Sequence, residues 1–193
     1  MADYVVWGAE EIPRGIVLDE LEGAGDFDIE MTTGQRCLES FPHDVVFTAD
    51  KDFPNNLALA DTIENTKGVV VVSQKLKEFL ESWNPPEVEF LPVTVLNHKK
   101  RPAGKYFIVH PVSPVDVLKA KESGAKYDPD MDDWVDSVKK IVLDKSKIDP
   151  DRLLFKLHSF YECVLIRKDL ADAITKKGFT GVKWIDCSQY RSL

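Results

Sequence analysis

Two stretches of this chain, 94 residues apart, repeat one pattern of strand, helix and strand, which constrains the fold to a mixture of both elements. In the first, Val69-Val70-Val71-Val72 is an unbroken β-branched run that reads as a buried strand. Ser73 is placed as an N-cap, and Leu76, Phe79, Leu80 and Trp83 then recur at helical spacing until Pro85-Pro86 ends the helix. Val88 and Phe90 share one face of the next strand, which runs on through Val95. In the second, Cys163-Val164-Leu165-Ile166 reads as a strand, and Leu170, Ala173 and Ile174 mark a helical face. Lys176 and Lys177 fall in its last turn, Gly178 is positioned to cap it, and Val182 and Trp184 open a closing strand. Leu76 matches Leu170 and Val88 matches Val182 at the same offset of 94, with few identities, so what repeats is a pattern.

The remaining segments read as further strands with fewer helices. Val5-Val6-Trp7, residues 26–31 and residues 44–48 are expected strands, punctuated by turns at Gly23, Gly25 and Gly34. A short helix is expected over residues 57–63, after the break at Pro54-Asn55-Asn56. Tyr106-Phe107-Ile108-Val109 is a strand ending at His110-Pro111, and Ser113-Pro114-Val115-Asp116 has the form of a helix start, with Gly124 as its stop. Trp134, Val135 and Val138 suggest a helical turn, and residues 141–143 and 153–157 two more strands. Strands outnumber helices and several adjoin in sequence. The expected fold class is therefore α+β: a mixed, mainly antiparallel sheet with several packed helices, including the two strand-helix-strand units. No linker rich in Pro, Gly or Ser interrupts the chain, so residues 1–193 are expected to form a single domain, with residues 1–42 supplying N-terminal strands.

Charge then limits the partners. The 33 acidic and 25 basic residues leave a net charge of −8, which repels nucleic acid and anionic membrane and steers a basic protein inward. Apolar runs fall far short of a membrane span, and the N-terminus lacks a basic region followed by an apolar one, so neither a membrane partner nor a signal peptide is expected. Cys37, Cys163 and Cys187 are an odd, scattered set that reads as reduced thiols, which makes the cytoplasm the expected compartment.

Catalytic and metal motifs fail one by one. His43, His98, His110 and His158 lie far from one another and from the cysteines, without the paired spacing of zinc sites, and read as surface or turn residues. The acidic run from Asp128 places Asp128, Asp130 and Asp132 at calcium-loop positions. Asp133, however, stands where the loop needs glycine and Lys139 where it needs glutamate. No metal site or cofactor is expected. The cluster reads either as a solvated acidic helix start or as a docking patch for a basic partner, with Asp128, Asp130, Asp132, Asp133 and Asp136 as the candidate contacts. There is no phosphate-binding loop and no nucleophile elbow. Cys163 and His158 are close in sequence, but Cys163 sits in an apolar strand pattern and reads as packing. No catalytic residue is assigned, although paired carboxylates of a hydrolase stay open as an alternative.

Several blocks carry a family resemblance. Asp61, Asn65 and Gly68, followed by Val71-Val72-Ser73 and Leu76, form one; Glu89-Phe90-Leu91-Pro92-Val93 is a second. Residues 106–123 around Val115-Asp116, then Leu154-Phe155-Lys156, then Gly178-Phe179-Thr180-Gly181-Val182, complete the set. In these the chain resembles the bacterial polymorphic-toxin immunity protein family eleven over about residues 43–185. The resemblance implies an antitoxin-like cytoplasmic protein that blocks a cognate toxin by binding it, and supplies no catalytic residues. A hydrolase acting through paired carboxylates and a regulatory or structural subunit are the alternatives, and the oligomeric state is left open.

Overall fold

The computed structural model describes residues 2–25 and 27–192. In chain order its elements are β1 (Tyr4–Ala9), β2 (Leu18–Glu22), α1 (Phe27–Thr33), β3 (Val46–Ala49), β4 (Thr62–Ile63), β5 (Val70–Ser73), α2 (Gln74–Glu81), β6 (Val88–Leu96) and β7 (Pro102–Pro111). They continue with α3 (Ala120–Ser123), β8 (Lys126–Tyr127), β9 (Val135–Ser137), β10 (Leu154–Lys156), β11 (Val164–Arg167), α4 (Lys168–Lys176) and β12 (Val182–Asp186). The class is α+β as expected, though the helices are short and α3 is a single turn.

Both repeated units are split in the same way. β5 and β6 each pair antiparallel with β7, so they run parallel to one another with β7 between them and α2 as the crossover. β11 and β12 each pair antiparallel with β1, and α4 crosses between them. The first unit lies in a six-stranded sheet of order β2-β3-β6-β7-β5-β4, the second in a four-stranded sheet of order β10-β11-β1-β12. Leu76 and Leu80 of α2 and Leu170 and Ile174 of α4, again 94 residues apart, are completely buried in one shared apolar cluster with Val5, Trp7, Val72 and Ile166. Neither sheet buries its apolar face alone; the shared core is what joins them.

Polar atoms complete that joint. Asp61 Oδ1 accepts the hydroxyl proton of Ser73 at 2.8 Å, and Ser73 Oγ in turn accepts the N–H of Leu76, capping α2 as its sequence position predicts. The other Asp61 oxygen accepts the Thr180 N–H at 2.9 Å and the Thr180 hydroxyl at 3.1 Å, at the turn that leads into β12. Next to it, Gly181 adopts φ +72°, and a Cβ there would collide with the Thr62 carbonyl and come within 2.7 Å of Ala60 Cβ.

Five expectations fail in whole or in part, for identifiable reasons. Residues 27–33 are helical: Phe27 and Met31, one turn apart, face the core while Ile29 is exposed, a spacing that alternation mimics over a short run. Asp26 lies outside the described residues. Instead of a helix, residues 57–63 are extended, with Ala58 exchanging backbone hydrogen bonds with Arg14 and Ile16 and β4 pairing with β5. Beyond Ser113, whose φ of 55° is unlike an N-cap, the backbone also stays extended, because Val115 bonds to Lys156 and His158 and Lys119 to Val142. Residues 135–137 form β9 rather than a helical turn, and residues 141–143 keep only a single bridge, at Leu143.

Replacing Gly181 with alanine should cost about 2–4 kcal/mol, from the strained backbone plus the collision. At Gly25, also left-handed but with open space around its Cβ position, the cost should be about 1 kcal/mol. Urea unfolding midpoints of the two variants measure the difference.

Candidate partner interface

The five candidate aspartates fall on or beside the loop of the β8–β9 hairpin, not on a helix start. Asp128 N–H donates to the Trp134 carbonyl at 2.8 Å, closing the loop, and Asp128 Oδ1 accepts the Asp130 N–H at 2.8 Å. Asp133 takes a left-handed φ of 58°, which lets the chain turn where the calcium loop would have used glycine. Asp130, Asp132, Asp133 and Asp136 are exposed and Asp128 is half-buried. Among the described residues, none of the five makes an ion pair. Tyr127 and Met131 are also exposed, at 56% and 47%, so the hairpin presents an aromatic and a thioether side chain on the same loop as these aspartates. The Val135 N–H, bonded to the Ser159 carbonyl at 2.7 Å, fastens the hairpin to the body.

Beside it opens a cleft of about 620 Å³ lined by Trp134, Lys156, Tyr161, Glu162, Tyr190 and Arg191, among others. Partial desolvation, then the charge of Asp136, holds the Glu162 carboxyl above its ordinary range, although Glu162 is exposed overall. That differs from the buried acid pair of a glycoside hydrolase. His158 is exposed, with Nδ1 3.0 Å from Ser159 Oγ, while Cys163 is buried and its thiol is pushed up by desolvation. A protonated thiol inside the core is a packing group, as its strand pattern indicates.

A third group was not legible in sequence. α1 and the stretch that follows it are tied to both sheets by buried polar side chains. Lys156 of β10 donates to the Met31 and Thr32 carbonyls at 2.8 and 3.1 Å, near the C-terminal end of α1, where the helix dipole favours a cation. Glu89 Oε2 accepts the Cys37 and Leu38 N–H groups at 2.9 and 3.0 Å. His110, expected at the surface or in a turn, is 1% exposed, and its Nε2 lies 2.7 Å from the Gln35 carbonyl oxygen. Burial pushes the Lys156 ammonium down to about 8 and the Cys37 thiol up to about 11. Arg152 of the loop before β10 donates to the Val112 and Ser113 carbonyls at 2.7 and 2.5 Å, closing the same frame.

The family model described as Immunity protein family (Imm11) matches residues 12–189, and the chain belongs to that family. A search of curated proteins finds no match. The family match begins upstream of β2, so it takes in N-terminal elements that the shorter resemblance left out. Residues that carried the resemblance are joints of the frame: Asp61 and Ser73 at the shared cap, Glu89 and Lys156 beneath α1, and Gly181 at the closest backbone approach. Asn65 belongs with them, since its side chain accepts the Lys67 and Val69 N–H groups and shapes the turn at Gly68.

Lys156 titrates well below its unfolded value near 10.5, so the unfolded chain binds more protons between about pH 8 and pH 10.5. Stability should therefore rise as pH climbs through that window. A Lys156→Met variant should lack this component, which parallel urea titrations from pH 7.5 to pH 10 would reveal as a shallower pH slope.

Proposed function

Taking membership of this immunity family as premise, we propose that the chain is an immunity protein of a bacterial polymorphic toxin system, binding and neutralising a cognate toxin domain in the cytoplasm without acting as an enzyme. The family match across residues 12–189 carries this reading. Among the described residues, no helix is long and apolar enough to cross a membrane, which is compatible with a toxin met in solution. We further propose that the toxin docks on the β8–β9 hairpin through Asp128, Asp130, Asp132, Asp133 and Asp136, its own contact face being basic. Charge complementarity of this kind raises the association rate, whereas the buried part of an interface sets the lifetime. Tyr127 and Met131 supply the desolvated contact that a purely acidic patch would lack.

Co-expression with the toxin encoded beside it should restore growth; growth no better than with the toxin alone would refute the reading. Changing the five aspartates to lysine should slow association and flatten its salt dependence, and unchanged kinetics would remove the hairpin from the interface. Tyr127→Ala should speed dissociation roughly tenfold, corresponding to a hot-spot contribution of about 1–2 kcal/mol. The Glu162 cleft allows a direct check on the hydrolase alternative. Glu162→Gln should leave protection intact under the binding reading and abolish it under a hydrolytic one.

A further inference from the structure

Cys37, Glu89 and His110 come from the segment after α1, from β6 and from β7, and all three are buried. Glu89 and His110 are direct cross-strand partners on neighbouring strands, and Cys37 is drawn over them by the two N–H bonds to the Glu89 carboxylate. One donor atom from each, a thiol sulfur, a carboxylate oxygen and an imidazole nitrogen, lies within 4.8 Å of the other two. From this geometry we propose that Cys37, Glu89 and His110 bind one zinc ion.

The donor set selects the metal. Sulfur with nitrogen and a single carboxylate suits zinc, whereas calcium and magnesium need mostly oxygen. Tetrahedral bonds of about 2.0–2.3 Å place donors about 3.3–3.8 Å apart, so each donor pair has to close by at most about 1.5 Å on loading. Supporting contacts are already in place. With His110 Nε2 at the Gln35 carbonyl, the ring is oriented as metal-bound histidines usually are, which assigns ligation to Nδ1. Glu89 is held through Oε2 by backbone N–H groups, and its Oε1 has only a long 3.8 Å contact to Arg36, whose guanidinium is bound to Glu87 instead. Glu30, one of whose carboxylate oxygens is buried without a hydrogen-bond partner among the described residues, adds negative potential at Cys37. A cleft of about 510 Å³ lined by Arg36, Cys37, Leu38, Glu39, Ser40 and Glu89 gives the ion a way in and leaves room for water as a fourth ligand. On binding, the Cys37 thiol releases its proton to solvent and the thiolate takes the metal. The site lies apart from the β8–β9 hairpin in sequence, and its loading would stiffen the joint between α1 and the six-stranded sheet.

Cobalt(II) and zinc(II) added to the chelator-stripped full chain test this. Cobalt should produce a thiolate-to-metal charge-transfer band that saturates at one equivalent and is bleached by zinc. Cys37→Ser should abolish the band, and His110→Gln should weaken zinc binding at least tenfold. A missing band, or one that survives Cys37→Ser and so reports Cys163 or Cys187, would overturn the assignment. X-ray absorption of the zinc-loaded unmutated chain needs no variant to fold. One sulfur at about 2.3 Å with nitrogen and oxygen at about 2.0–2.1 Å supports the site, and a shell without sulfur contradicts it.

Discussion

One carboxylate sets the relation between the two halves of this molecule. Asp61 accepts from Ser73 at the start of α2 through one oxygen and from Thr180 at the entry to β12 through the other. It thereby joins the N-cap of the first strand-helix-strand unit to the last turn of the second. The contact is geometrically narrow because Gly181 brings backbone against backbone beside it. Once this joint is closed, α2 and α4 can turn Leu76, Leu80, Leu170 and Ile174 into one core, the apolar term that supplies most of the stabilisation. The hydrogen bonds add less energy than that burial but determine which arrangement buries it.

How much of this could be read beforehand depended on how local each signal was. Both repeated units are legible because strand run, helical face and helix stop, Pro85-Pro86 in the first and Gly178 in the second, all lie within about 25 consecutive residues. Segments 57–63 and 113–119 were misread because their backbone partners lie far away in the chain, at Arg14 and Ile16 and at Val142, Lys156 and His158. Local helix-start chemistry at Ser113-Pro114 lost to those long-range bonds. Residues 27–31 show the other failure, in which alternation and helical spacing cannot be told apart over so short a run. The buried polar frame was hidden for the same reason: Cys37 and Glu89 are 52 residues apart, and Gln35 and His110 are 75 apart. The acidic loop was visible as composition, yet its form as a hairpin with Tyr127 and Met131 exposed was not.

Frame and surface divide the work. The joint residues behind the family resemblance, Asp61, Asn65, Ser73, Glu89, Lys156 and Gly181, bind other parts of the chain. The hairpin aspartates lie outside those motifs, and all but the half-buried Asp128 are exposed. Family membership thus describes the scaffold, and under the proposed function the toxin is met by residues the scaffold displays. Such a division lets a fixed frame accept changes in the hairpin at little cost to stability, because exposed substitutions away from packed joints are usually mild.

The central claim is neutralisation by stoichiometric binding. It is tested most directly by titrating the purified chain into a fixed amount of active toxin and following residual toxin activity. Occlusion predicts a linear fall to zero at one equivalent, with activity recovered when the complex is dissociated. Complete loss at a small fraction of an equivalent, deepening with time, would mean that the chain turns over a substrate, and would contradict the account.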